Sequence, residues 1–133
     1  MDVQERVLEE RLKGHCCSES IMNMCLEDMG GSPGQNRSLV KAMGAFCGGL
    51  HEGLACGTLC AAMAVLSIAE DGDRKAGGGP GPEMMKWFRK RFGAWNCAEL
   101  LEGDESRKLT LCPAIVCETY LKLRDMLEEL GAV

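Results

Sequence analysis

The feature that most constrains the fold of this chain is the set of residues available to fill its interior. Six of the 133 residues are aromatic, whereas nine are methionine and nine are cysteine. An interior of aliphatic and sulfur-containing side chains favours helices, because strands are enriched in β-branched and aromatic residues. This length supports one hydrophobic core. We therefore expect a single cysteine-rich domain over residues 1–133, and the composition argues against a β-sandwich.

Apolar periodicity, bounded by glycine, proline and capping residues, divides the chain into helical segments. The pattern predicts an all-α fold, a compact bundle of five to seven helices with no significant sheet. The predicted helices cover residues 2–12, 17–29, 38–48, 55–70, 83–92, a short stretch from 96 or 97, and 113–130. The helix over 55–70 has little polar surface and is expected to be central. Pro113 is expected in a first helical turn, and the glycine-rich segment 71–82 in an exposed loop.

The third predicted helix is expected to begin after the break GGSPGQN, with Ser38 as its cap. Its inward-facing residues are then Leu39, Val40, Met43 and Phe46.

The N-terminal segment contains charged residues before any apolar stretch could form, which argues against a secretory signal. The longest uncharged run, residues 53–69, is shorter than the roughly 20 residues that span a bilayer. We therefore expect no membrane span and a cytoplasmic location, where disulfides are rare. The odd number of cysteines would also leave one thiol unpaired. Metal ligation or redox chemistry becomes the favoured explanation for the cysteines.

One segment is basic on an acidic chain. Residues 73–92 sum to +4, while the whole chain carries −5. We expect no nucleic-acid partner, because Met85, Phe88 and Phe92 recur at helical spacing and can point inward. The apolar residues crowded here predict exposed surface covered by a partner, in a homodimer that uses this segment or the final helix: Met84, Met85, Trp87, Phe88, Phe92 and Trp95.

Four of the nine cysteines fall at or within one turn of a predicted helix start: Cys17, Cys56, Cys97 and Cys112. Unpaired N–H groups and the positive end of the helix dipole stabilise a thiolate at such positions. The others, taken one at a time, are expected to act as small buried apolar side chains: Cys16, Cys25, Cys47, Cys60 and Cys117.

At these four residues the sequence resembles the C_GCAxxG_C_C family of small redox-active proteins, over about residues 11–130. Cys17 lies in GHCCSES, Cys56 begins CGTLCA, Cys97 lies in FGAWNCAELLEGD and Cys112 in LCPAIV. A glycine pair in CGGL precedes the second cysteine, as in the family. Thr58, Cys60 and Ala61 depart from the family's CGAxxG segment. The resemblance implies a redox role centred on the four cysteines.

Several kinds of chemistry fit four such cysteines. The first is an iron–sulfur cluster or another metal, used for electron transfer or redox sensing with a redox protein partner. Zinc is an alternative, although separations of 39, 41 and 15 positions differ from the close pairs of structural zinc sites. A thiol–disulfide oxidoreductase or sensor could use the same four as catalytic redox-active thiols without metal. A non-redox helical module that binds zinc or a partner also stays open.

The iron–sulfur hypothesis and the thiol–disulfide hypothesis share one geometric requirement. The four sulfurs must meet in one small pocket at helix N-termini, although they come from distant parts of the sequence. Three further side chains are candidate auxiliary ligands because of their positions next to this set: Cys16, Cys60 and His15. His51 is a weaker candidate.

Overall fold

The computed structural model describes residues 1–70 and 79–133, which form a bundle of α-helices. Its seven α-helices are α1 (Val3–Leu12), α2 (Cys17–Asp28), α3 (Pro33–Met43), α4 (Gly57–Ala69), α5 (Gly81–Phe92), α6 (Cys97–Leu100) and α7 (Lys108–Glu129). Short 3₁₀ turns cover Gly44–Phe46 and Glu105–Arg107. No β-strand occurs in these two described ranges, so the predicted all-α fold is confirmed. None of the helices described is long and apolar enough to cross a membrane.

The centre of the bundle is a pair of helices, α2 and α4, with α7 packed against both. The apolar pattern alone predicts a central helix only at α4. The α2 helix shares the position because its buried residues lie on nearly every side and include the polar Ser18 and Ser20. The hydroxyls of these two serines donate to the carbonyl oxygens of Met43 and Cys16. Polar groups that are satisfied in this way can be buried at small cost.

Helix α3 begins five residues earlier than predicted, at Pro33 rather than Ser38. A proline needs no hydrogen-bond partner in a first helical turn, so this one begins the helix. The earlier start changes which residues face inward. Val40 is buried as expected, whereas Leu39 is 40% exposed, which corrects its inward assignment. Phe46 lies beyond the helix, in the 3₁₀ turn Gly44–Phe46.

Helix α7 also begins five residues early, at Lys108, and Pro113 therefore lies inside the helix rather than in its first turn. The preceding 3₁₀ turn leads directly into α7. The cap of this 3₁₀ turn is Asp104, whose side chain accepts a hydrogen bond from the Ser106 N–H. Lys108, the first residue of α7, forms an ion pair with Glu105 in the turn. These local bonds favour the early start despite the proline.

The predicted loop over residues 71–82 is only partly visible. Residues 71–78 lie outside the described residues, and a turn at residues 79–80 leads into α5. Because α5 begins at Gly81, this helix is two residues longer than predicted at its N-terminus.

The aromatic segment in and after α5 is buried more completely than the sequence suggested. Met84 and Phe88 are fully buried, and the rings of Trp87 and Phe92 meet that of Phe88 edge to face. Within the segment, Trp95 is the large apolar residue that stays exposed, and the Arg89 guanidinium covers its ring at 4.8 Å. The homodimer stays a prediction.

Asp28 ties three helices together through its carboxylate. It accepts hydrogen bonds from Arg6 on α1 at 3.1 Å and from the Tyr120 hydroxyl on α7, and it pairs with Arg124 at 3.1 Å. Burial and the neighbouring Asp28 carboxylate raise the pKa of Tyr120 to about 12, so its hydroxyl stays a donor at neutral pH. The cluster therefore fixes α1 and α7 relative to α2.

Between the Gly44–Phe46 turn and α4 the backbone makes a left-handed turn. Gly48, Gly49, Leu50 and His51 all have φ between 61° and 65°. Left-handed backbone costs a residue with a side chain about 1–2 kcal/mol. At Gly49 the space is also closed, because a Cβ there would lie 2.3 Å from the carbonyl oxygen of Leu54.

Comparing Gly49→Ala with Gly48→Ala tests this turn. Both substitutions place a side chain at positive φ, but a Cβ at Gly48 meets nothing within 4 Å. We expect Gly49→Ala to lower the free energy of unfolding by about 1–3 kcal/mol more than Gly48→Ala, because only the former also creates a clash. Denaturant unfolding measures both. Equal losses would contradict the described contact with Leu54.

Candidate functional site

The four cysteines singled out by the sequence line one cavity of about 380 Å³. Cys17 comes from α2, Cys56 from the start of α4, Cys97 from α6 and Cys112 from α7. All four are free thiols in the structure. The cavity is also lined by Arg11, His15, Cys16, Cys47, His51 and Lys108. Residues from distant parts of the chain thus surround a single space.

The Cys17 side chain lies against the first turn of α4 because residue 57 is glycine. A Cβ at Gly57 would stand 3.3 Å from Cys17 Sγ and 2.6 Å from the carbonyl oxygen of Phe46. Any larger residue would displace the thiol or the backbone beside it. Cys56 therefore supplies one thiol of the cavity, and Gly57 next to it leaves the space that the Cys17 thiol occupies.

A short backbone bridge brings Cys56 and Cys97 together. Ala55 and Asn96 form an isolated antiparallel β-bridge. On either side of it, the Cys56 N–H donates to Trp95 O at 2.8 Å and the Cys97 N–H donates to Leu54 O at 2.7 Å. Both cysteines are then at helix starts, Cys56 capping α4 and Cys97 as the first residue of α6.

Cys112 reaches the cavity from a different kind of position. It is the fifth residue of α7 and lies beyond the first turn, so the expected location at a helix N-terminus is wrong for this residue. The reason is the early start of α7 at Lys108. Cys17, at the first position of α2, agrees with the expectation.

Burial and mutual repulsion both oppose ionisation of Cys56, Cys97 and Cys112. Burial and then the Cys17 charge raise the pKa of Cys56 to about 12. Burial, followed by the charges of Cys17 and Cys97, raises the pKa of Cys112 to about 11. The pKa of Cys97 is also raised, mainly by burial. Because each of the three thiols senses Cys17, the four form one electrostatic group, and the three are protonated at neutral pH.

Donors and cations around the cavity act in the opposite direction. The backbone N–H groups of Thr58 and Leu59 and the Thr58 hydroxyl bond the Cys56 sulfur and lower its pKa, although burial and Cys17 outweigh them. Lys108 lowers the pKa of Cys97 and Cys112. These groups would stabilise thiolates once a bound cation offsets burial.

His15 lines the cavity and is held in place by a buried carboxylate. Its Nδ1 lies 3.1 Å from Glu10 Oε1, and Glu10, 3% exposed, also accepts hydrogen bonds from Asn23 and Lys13. Burial alone would raise the pKa of Glu10, but hydrogen bonds from Lys13, Asn23 and His15 hold it below its ordinary value. Because Nδ1 is engaged with a carboxylate, Nε2 is the His15 nitrogen left for a ligand.

Two further cysteines in the cavity wall are joined. Cys16 and Cys47 form a disulfide across 31 positions of sequence, with their Cα atoms 6.1 Å apart. This corrects the expectation that Cys16 and Cys47 each act as a small buried apolar side chain. Cys47 follows the Gly44–Phe46 turn, where the chain passes the start of α2.

The remaining cysteines are absent from the cavity wall. Cys25 is fully buried in the core, as expected of an apolar side chain. Cys117 packs against the core while partly exposed. The Cys60 sulfur lies 4.0 Å from the Ala55 carbonyl oxygen and is not part of the cavity lining, although burial and then the Cys17 charge raise its pKa.

The cavity wall contains two cations, Arg11 and Lys108, and the pairing partner Cys47, none of which is predicted from the sequence. A helical signal existed for both cations. Arg11 lies four residues after the buried Val7, and Lys108 lies four residues before Cys112, which places each pair on one helix face. The pairing of Cys47 had no local signal.

Comparison with known proteins agrees with the cysteine pattern. Residues 15–126 match a family model described as “Putative redox-active protein (C_GCAxxG_C_C)”. No curated protein and no solved structure matches the chain. The matched range includes all four cysteines of the cavity and well over half of the sequence. The chain therefore belongs to the C_GCAxxG_C_C family.

Proposed function

We propose that this protein functions in electron transfer or redox sensing. It would do so through an iron–sulfur cluster held by Cys17, Cys56, Cys97 and Cys112. The observation that carries the proposal is that four free thiols, from four different helices, line one cavity. Four cysteine thiolates are the usual ligand set of such clusters. When bound, the cluster would supply one-electron oxidation and reduction, in exchange with a redox protein partner.

The spacing of the sulfurs favours a cluster over a single zinc ion. With Zn–S bonds of about 2.3 Å, tetrahedral zinc holds its sulfurs about 3.8 Å apart. In the part of the chain that the structure describes, no three of the four sulfurs lie within 4.8 Å of one another. A cluster spreads its cysteines more widely, because each one binds a different iron or a different side of the cluster.

Any metal ion that binds in this cavity must displace protons from its thiols. At neutral pH Cys56, Cys97 and Cys112 are neutral thiols, which are poor nucleophiles and poor ligands. Metal ions reverse this by stabilising the thiolates directly. The helix-start N–H groups at Cys56 and the ammonium group of Lys108 would then act on charged sulfurs, which is where hydrogen bonds and nearby charge tune a cluster's potential.

A thiol–disulfide oxidoreductase or sensor without metal is the second candidate. The Cys16–Cys47 disulfide favours it, because this bond lines the same cavity as the four free thiols. The raised pKa of Cys56 and Cys112 weighs against it, since thiol exchange requires a thiolate near ambient pH. Metal and sulfide content separates the two candidates.

Replacing Cys97 by serine tests the cluster. We expect Cys97→Ser protein purified without oxygen to lose its iron, acid-labile sulfide and visible absorbance, because a neutral hydroxyl replaces a thiolate ligand. Cys25→Ala and Cys117→Ala are matched controls, with cysteines removed away from the cavity. They should keep the wild-type iron content and lose only about 1 kcal/mol of stability.

Two results would contradict the cluster. One is wild-type protein without iron or sulfide after anaerobic purification from cells supplied with both. The other is wild-type iron content in Cys97→Ser protein, which would remove this residue from the site. Loss of iron in Cys25→Ala protein as well would show that the division of the cysteines is wrong.

The number of protons released on metal binding tests whether the thiols of the cavity are protonated. A Cys16→Ala/Cys47→Ala variant, kept reduced, retains the four thiols and removes the other cysteine pair from the cavity. With Zn²⁺ as a probe, we expect about two protons released per ion at pH 7, because the spacing lets one ion contact no more than two of the four sulfurs, and affinity that rises with pH, because metal displaces protons from thiols of raised pKa. Calorimetry in buffers of different ionisation enthalpy counts the protons. Release of one proton or none would mean that the thiols are already ionised or do not bind.

A further inference from the structure

Outside the four family cysteines, one other group of soft and hard donors meets in space. One oxygen of the Glu19 carboxylate and the sulfurs of Cys16 and Cys47 all lie within 4.8 Å of one another. Among the described residues, no other three potential metal ligands lie this close to one another. In the structure the two sulfurs are bonded to each other, so the group is in its oxidised form.

The donors of this group are held by their surroundings. The Cys16 N–H donates to Glu19 Oε1 at 3.0 Å, which fixes the carboxylate beside the disulfide. The buried Ser18 hydroxyl donates to Met43 O and lies 3.2 Å from Cys16 Sγ and 3.7 Å from Cys47 Sγ. These bonds involve backbone and hydroxyl groups that remain when the disulfide is reduced. Reduction would therefore leave two thiols and a carboxylate in place.

The backbone spacing suits both states of the pair. Cα atoms 6.1 Å apart fall in the ordinary range for a disulfide. Two thiolates on one tetrahedral zinc are about 3.8 Å apart, which small side-chain rotations provide from the same backbone. Cys16 and Cys47 line the cysteine cavity, while Glu19 lines the neighbouring groove.

From this arrangement we infer that Cys16, Cys47 and Glu19 form a redox-controlled site for a thiophilic divalent cation of the zinc class. The reduced pair binds the ion through two thiolates and one carboxylate, with water as fourth ligand. Formation of the disulfide removes both thiolates and releases the ion. The inference stands on this group alone and does not depend on the cluster proposed for the other cysteines.

The release step balances with a small-molecule disulfide as oxidant. Both metal–sulfur bonds break, and the two thiolates lose two electrons as the Cys16–Cys47 bond forms. Those electrons cleave the sulfur–sulfur bond of the oxidant, glutathione disulfide for example, and give two thiolates that take protons from water. The divalent ion leaves with its charge unchanged.

The test counts metal in reduced protein. Wild type, Cys47→Ala and Glu19→Gln are reduced, freed of reductant without oxygen and titrated with Zn²⁺ or with Co²⁺, whose thiolate charge-transfer bands report sulfur ligation. We expect wild type to bind one equivalent more than Cys47→Ala. Glu19→Gln should bind that equivalent at least about tenfold more weakly. Cys25→Ala, which alters a buried cysteine elsewhere, should match wild type.

Oxidation supplies the second readout. Adding glutathione disulfide to the zinc-loaded protein should release the extra equivalent from wild type, and differential alkylation with peptide mapping should show the Cys16–Cys47 bond in the same sample. Cys16→Ala protein, a second variant that removes the pair, should show neither event. Circular dichroism checks that each variant is folded.

Two outcomes would overturn the inference: equal metal content in wild type and Cys47→Ala protein, or formation of the disulfide without release of metal. Metal bound by the other four cysteines contributes equally to both proteins and cancels in the comparison. If the cluster proposal fails, the difference of one equivalent is still expected. If the difference is missing, the cluster proposal is unaffected.

Discussion

The cysteine cavity depends on how closely the first turns of α2 and α4 approach each other. At Gly57 a hydrogen atom is all that fits between the Phe46 carbonyl oxygen and Cys17 Sγ. This contact puts Cys17 at the point where its charge reaches Cys56, Cys97 and Cys112. The bridge between residues 55 and 96 then sets α6 beside the same two turns. The chemistry of the site thus depends on the close approach of the α2 and α4 backbones.

Most of the helical architecture follows from local pattern. The bounds of α2, α4 and α5 agree with apolar spacing to within two residues, because caps and glycines act over one turn. The starts of α3 and α7 could not be obtained in this way. A proline stands near each, and the local rule does not say whether Pro33 or Pro113 begins, precedes or interrupts a helix. For α7 the cap and the ion pair of the preceding turn favour the earlier start.

The site shows the same division between local and distant information. Cys17, Cys56 and Cys97 were found because a helix start is a local property, and the family resemblance supplied the same set. The position of Cys112 at a helix start was wrong because that expectation depended on the start of α7. The pairing of Cys16 with Cys47 depends on the path of the intervening chain. No pattern within either segment encodes that path.

Pro113 has a mechanical consequence for the site. With no N–H of its own, it leaves the carbonyl of Leu109 without the usual bond inside α7, and its ring crowds that carbonyl. The turn that carries Lys108 and Cys112 is therefore joined to the rest of the helix more loosely than an unbroken hydrogen-bond ladder would allow. The rest of α7 is anchored by Tyr120 and Arg124 on Asp28. Lys108 and Cys112 thus belong to the part of α7 that lies before the interrupted hydrogen bond, and the part that is held to α2 lies after it.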